Sequence, residues 1–358
     1  MSAHGAARRS YLAIVAIGLI VVPACGGGAS MSASPSSSSS ATASSEASAA
    51  PVVGDGEEWI VFQGVELGLT FIRPDGTGNH VILGPPGDQL HPDWSPDGSE
   101  IAYVQATGTG SEVMVTDLLG GSPRPLVTEY PAELADLFWD NPPWSRDGTR
   151  IAAIGYAGNP QAELPSASVL AIVEVASGEV MVASEFAQAD GFLHSFPRWS
   201  PDDSALVLNV DTFTGEEFIG STVAIMRETE SGWSEPDPIT ELGEFARPDW
   251  HPTEDLIVYC SFDVGGFQST DEPSNLFTIR ADGSDLTQIT DFGPGAERAS
   301  QPTWTPDGRI IFTYITGSDD GTLDLAFINA DGTGLEALSV AAEVGPGNRP
   351  HPRLRPVP

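Results

Sequence analysis

Short apolar and alternating runs recur from about residue 53 to the C-terminus, and they come in groups of four. One run in each group is continuously apolar: Ile101–Val104, Ile151–Ile154, Ala205–Leu208, Leu256–Tyr259 and Ile310–Thr313. A second β-rich run follows it: Leu69–Ile72, Val113–Thr116, Val169–Val173, Thr222–Met226, Leu276–Ile279 and Leu325–Ile328. A brief run closes each group: His80–Leu83, Pro125–Val127, Glu179–Val182, Pro238–Thr240, Leu286–Ile289 and Leu335–Leu338. Such runs, bounded by Gly, Pro and Asp, are strand signals.

The missing member of each group ends in a recurring phrase. His91-Pro-Asp-Trp-Ser-Pro-Asp-Gly98 returns as Asn141-Pro-Pro-Trp-Ser-Arg-Asp-Gly148, Phe196-Pro-Arg-Trp-Ser-Pro-Asp-Asp203, Arg247-Pro-Asp-Trp-His-Pro-Thr-Glu254 and Gln301-Pro-Thr-Trp-Thr-Pro-Asp-Gly308. The tryptophans at 94, 144, 199, 250 and 304 lie 50, 55, 51 and 54 residues apart. A strand-rich repeat of this length predicts a propeller or an array. Pro-Asp-Gly makes a tight hairpin because Pro presets one φ and Gly accepts a positive one. Asp75-Gly76, Asp282-Gly283 and Asp331-Gly332 serve the later turn of each unit. Asp203 and Glu254 replace the first glycine, so those two turns are expected to differ.

The phrase and the apolar strand behind it resemble the TolB-type, WD40-like (PD40) propeller repeat family over residue 53 to the end. The resemblance implies an all-β fold: a six-bladed β-propeller of four-stranded blades. The first unit is incomplete. Asp55-Gly56-Glu-Glu-Trp59-Ile-Val-Phe62 matches Asp97-Gly98-Ser-Glu-Ile101-Ala-Tyr-Val104, without a strand before it. His351-Pro-Arg-Leu354 supplies the matching half at the other end. The C-terminal strand is therefore expected to complete blade one and close the ring, which removes sheet edges. TolB carries an α/β domain before its propeller. Residues 1–52 leave no room for one, so the partner site on that domain is not carried over.

Residues 1–24 read as a signal peptide. Arg8-Arg9 precedes an apolar run, Leu12–Val22, that is short for a bilayer span. Val22-Pro-Ala-Cys25 resembles a lipoprotein cleavage site, which implies lipidation of Cys25; Sec and twin-arginine export remain open. Residues 25–52 are the lipidated cysteine and a Ser/Ala/Gly-rich tether that cannot bury enough surface to fold. Two acyl chains suffice for stable anchoring. The expected location is extracytoplasmic, at the cell envelope.

Charge narrows the partners. The 358 residues carry 15 Lys+Arg against 50 Asp+Glu, for a formal net charge of −35. Nucleic acid is excluded as a partner, since phosphate binding needs a basic surface. The membrane is reached through the lipid anchor only. With Cys25 acylated, Cys260 has no disulfide partner, and a buried thiol is expected.

Function is expected on the longer loops, Thr128–Asn141, Tyr156–Ser168, Glu185–Phe196, Val210–Ser221, Ser261–Asn275 and Gly317–Thr322. Their aromatics, notably Tyr130, Trp139, Tyr156, Phe213 and Phe267, are candidates for a partner face. The residues before each Pro-x-Trp, His91, Asn141, Phe196, Arg247, Gln301 and His351, should line the channel mouth. His91, Gln301 and His351 fall on adjacent blades and are candidate ligands if a divalent metal binds. No Gly-x-Ser-x-Gly elbow and no His-Glu-x-x-His pair occurs. The expectation is a monomeric ring, without cofactor, that binds an envelope protein or glycan. The alternatives are a metal-dependent polysaccharide-degrading enzyme of lyase type and an accessory or sensor subunit of an envelope complex.

Overall fold

The computed structural model describes residues 54, 56–64, 68–84, 88–107, 110–158, 164–243, 245–261, 273–293, 297–316, 322–340 and 351–357. The signal, Cys25, the tether and Phe267 lie outside the described residues. Among the described residues there is no α-helix, and no helix is long and apolar enough to cross a membrane.

The strands assemble as the repeat requires. Asp88–Trp94, Glu100–Thr107, Gly110–Asp117 and Arg124–Pro125 form one antiparallel unit. It continues through a parallel Ser111–Phe138 contact into Phe138–Asp140, Arg150–Ala157, Ala167–Glu174 and Val180–Ala187. Phe192–Trp199, Ala205–Thr214 and Glu217–Thr229 make the next, with Asp237–Pro238 on its edge. Phe245–Trp250, Ile257–Ser261, Leu276–Ile279 and Thr287–Gln288 follow. Glu297–Trp304, Arg309–Thr316, Thr322–Asn329 and Glu336–Leu338 form the last of the chain order. The first unit contains Ile60–Gln63, Leu69–Ile72 and His80–Leu83, and Arg353–Leu354 pairs with its leading strand. The register sets Leu354 opposite Ile60, and the Arg355 amide donates to the Trp59 carbonyl at 2.7 Å.

Some closing strands begin earlier and are shorter than the sequence suggests. Apolar residues just past these short strands, such as Leu126 and Ile289, still donate their amides to the Val113 and Leu276 carbonyls at 2.9 and 2.8 Å, and their side chains are buried in the core. The turns also correct an expectation. Asp203 adopts φ 58° and keeps the amide bond to the Ser200 carbonyl, so it stands in for the missing glycine. Aspartate tolerates this conformation better than most residues. The Glu254 turn does differ: the His251 ring nitrogen accepts the amides of Thr253 and Glu254 at 3.2 and 3.0 Å. The turn aspartates bond their own loops, as Asp97 does with Ser95 and Ser99.

The core lies between sheets. Trp59, Val61 and Phe71 of the first unit pack on Trp94, Ile101 and Tyr103 of the second. The same pattern passes from unit to unit, and a last cluster joins Ile311, Leu325 and Phe327 to Ile60, Phe62 and Leu354.

Candidate functional site

Six residues share a backbone conformation that L side chains rarely adopt. His91, Asn141, Phe196, Arg247, Gln301 and His351 have φ from 45° to 60°. Each precedes the proline of its unit, where extended backbone is the ordinary choice. Left-handed backbone there costs about 1–3 kcal/mol per residue and persists only when the surroundings enforce it. The register slips at this point in four of the leading strands, for example between Leu90 and Asp93. Such a bulge re-aims the side chain.

Side chains hold these bulged amides. His91 N donates to Gln63 Oε1 at 2.7 Å, and Arg247 N to Asn209 Oδ1 at 2.9 Å. His351 N donates to Gln301 Oε1 at 3.1 Å, and Asn141 N to Asp140 Oδ1 at 2.8 Å. Gln63 and Asn209 interrupt otherwise apolar runs, which is the signal that could have flagged them in the sequence.

The re-aimed groups meet. His91 Nε2 lies 3.1 Å from His351 Nε2, with the rings edge to face. Gln301 Nε2 lies 3.0 Å, and Arg247 Nη1 3.3 Å, from that same His351 nitrogen. The Arg247 guanidinium sits over the Phe196 ring at 4.4 Å. Asp140 takes the other nitrogen of His91. Gln301 is oriented by Thr313 Oγ1, which donates to its oxygen at 2.7 Å, leaving the NH2 group to face the cluster. Five of the six positions expected at the channel mouth thus converge. The side-chain amide of Asn141, the sixth, is buried without a hydrogen-bond partner. The set lies deeper than a rim: Arg247 is 7% exposed, while His91, Phe196 and nearby Asp211 stay partly open.

Burial pushes Arg247 down to about 10, so it remains a cation at neutral pH. It pushes Asp211 up to about 6, against a hydrogen bond from Ser195 at 2.8 Å. His194 is not part of the site. It stacks on Phe186, bonds Ser168 and Ser184, and burial lowers it to about 4. Among the described residues no group of three His, Cys, Asp or Glu side chains is arranged to hold a metal. The three candidate metal ligands do come together, but Arg247 adds a permanent positive charge at hydrogen-bond distance from one of them, which opposes a dication.

The loop aromatics divide differently from expectation. Trp139, Tyr156 and Phe213 are 2%, 1% and 5% exposed, which takes them off the accessible face. Trp139 crosses Gly155, where an added Cβ would come within 3.1 Å of its ring, and stacks on half-buried Tyr130. The Tyr156 hydroxyl donates to the His194 carbonyl at 3.1 Å. Phe192, Ile219 and Leu242 are the apolar side chains left exposed at that end of their sheet. A cleft of about 370 Å³ opens at the turn end beside His251, Trp304 and Asp307, away from the polar cluster.

No family model matches the chain. Solved structures do. A structure assigned as TolB from Agrobacterium tumefaciens is 17% identical, with a TM-score of 0.57 over 84% of this chain and 99% of that one. TolB from Acinetobacter baumannii is 17% identical, with a TM-score of 0.60 over 84% and 67%. The fold is that of a TolB-like β-propeller. Hydrazine synthase from Kuenenia stuttgartiensis also superposes, at 12% identity and a TM-score of 0.59 over 85% of this chain and 47% of that one. Proteins of such different description share the architecture, and the site must carry the function.

Proposed function

We propose that this TolB-like propeller is a recognition protein rather than a catalyst: six blades closed into a monomeric ring by the C-terminal strand, held at the cell envelope through a lipid on Cys25. It binds an envelope protein or glycan on the face formed by the longer loops, and the partner is read at the channel mouth. The observation that carries this reading is the convergence of strained residues from five blades on one polar cluster. Strain of this kind clusters at functional sites. The continuous run of inter-sheet cores, from first unit to last and back to Leu354, supports closure. Val22-Pro-Ala-Cys25 and the tether support the anchor. The lyase alternative is disfavoured by the Arg247 cation beside His351.

A photo-crosslinking amino acid tests the face. Placed at exposed Phe192 in living cells, it should give a discrete adduct, while the same group at exposed Leu335 on the opposite turns should not. Adducts at both sites or neither reject the reading. Cys25→Ser should release the folded protein from the membrane fraction; retention of that variant rejects the anchor.

A further inference from the structure

The central cluster has more hydrogen-bond donors than acceptors. His351 Nε2 has at most one lone pair, yet it faces Gln301 Nε2, Arg247 Nη1 and His91 Nε2 within 3.3 Å. If His351 Nε2 is protonated instead, it donates to His91, and Gln301 and Arg247 then aim N–H groups at an N–H. Either tautomer leaves donors unserved. A further donor, Arg247 Nε, is buried with no partner at all. Arg247 has no carboxylate within ion-pair distance among the described residues, although it is 7% exposed. Asp140 and Asp211 act on this guanidinium only from beyond ion-pair distance, and a buried cation without a direct partner is costly. The vacant demand, for an acceptor placed directly on a buried cation, is met by a small anion.

We propose that the channel mouth binds a small singly charged carboxylate, gripped by the Arg247 guanidinium with Gln301 Nε2 as a further donor. The inference rests on the reading of the mouth as a binding site and names its ligand chemistry. A planar carboxylate matches the guanidinium fork, and the Phe196 ring beneath fixes the plane of that fork. The neighbouring acids set the charge. Asp140 is engaged by His91 and the Asn141 amide, and Asp211 by Ser195, but both carry negative potential into the site. A dianion such as phosphate meets that repulsion twice over with one permanent cation to offset it. His91, Phe196 and Asp211 remain partly exposed and give a small ligand its entry.

Titration of the full chain with 13C-labelled acetate, followed by line broadening, tests this. Wild-type protein should bind one acetate saturably at millimolar concentration, with acetamide and inorganic phosphate at least about tenfold weaker. Arg247→Met, which keeps a long side chain on Phe196, should weaken acetate by at least about tenfold. Gln301→Glu places a competing carboxylate in the cluster and should do the same, which covers failure of the first variant to fold. Equal binding of acetamide or phosphate, no saturation, or undiminished binding by both folded variants would overturn the proposal. The Phe192 crosslink is independent: an adduct without acetate binding sinks the carboxylate and leaves the partner reading standing.

Discussion

Leu354→Ala probes the joint between the two ends of the chain. Leu354 pairs with Ile60 in the ladder and is buried among Phe62, Ile311, Leu325 and Phe327. Truncating a buried leucine costs about 2–5 kcal/mol, because transfer energy is lost and a cavity remains. Packing from both terminal units surrounds this side chain, so little collapse can fill the gap, and about 3–4 kcal/mol is expected. The backbone bonds stay, including the Arg355 amide to Trp59, as do the bonds from Arg355 to the Gly98 and Gly54 carbonyls. The protein should therefore fold and melt earlier, by roughly 6–12 °C for a chain of this size. Calorimetry of the full chain measures it, with Leu335→Ala on an exposed turn as the control. A frayed tail would behave like that control. Melting within about 1 °C of wild type would refute the seam and with it the closed ring.

Trp139→Ala should destabilise the fold by about 3–5 kcal/mol, read from the urea midpoint, because the indole is core; a selective loss of the Phe192 adduct at unchanged stability would contradict this. Asp203→Ala should cost about 2–3 kcal/mol, since Asp203 accepts the Arg146 and Asp147 amides at 2.6 and 2.8 Å from a left-handed position, and Asp203→Gly should cost less by relieving the backbone. Asp211 and Asp249 are held at about 6 by burial, so the folded state binds their protons more tightly than the unfolded chain. Their stabilisation is present at acid pH and is lost as pH rises through about 6, and Asp211→Asn should gain about 2 kcal/mol on wild type near pH 7.5 and little near pH 4.5. A gap between the two proteins that does not change with pH would reject that linkage.

Local rules made much of this molecule legible in the sequence. Period-two and continuous apolar runs fix strands because a strand must bury one face or both, and Pro-Asp-Gly fixes hairpins because so few residues accept its dihedrals. The spacing of Trp94, Trp144, Trp199, Trp250 and Trp304 set the repeat, and the two half-repeats announced the pairing of Leu354 with Ile60. That His91, Gln301 and His351 would meet followed from the same order. Burial on the loops was not legible. Trp139 and Tyr156 stand in segments that read as surface, yet each finds a neighbour that the chain supplies from a distance, Tyr130 or the His194 carbonyl. The left-handed bulges were invisible too, since a residue before proline ordinarily avoids that region. Only the assembled sheets overrule the preference, because Gln63, Asn209 and Gln301 come from other strands to hold the bulged amides. Arg247 gives the sharpest division. Its charge and its place before a proline are properties of the sequence; that it is buried over Phe196 and against His351 is decided by the tertiary structure alone, because those distances exist only once separate sheets meet.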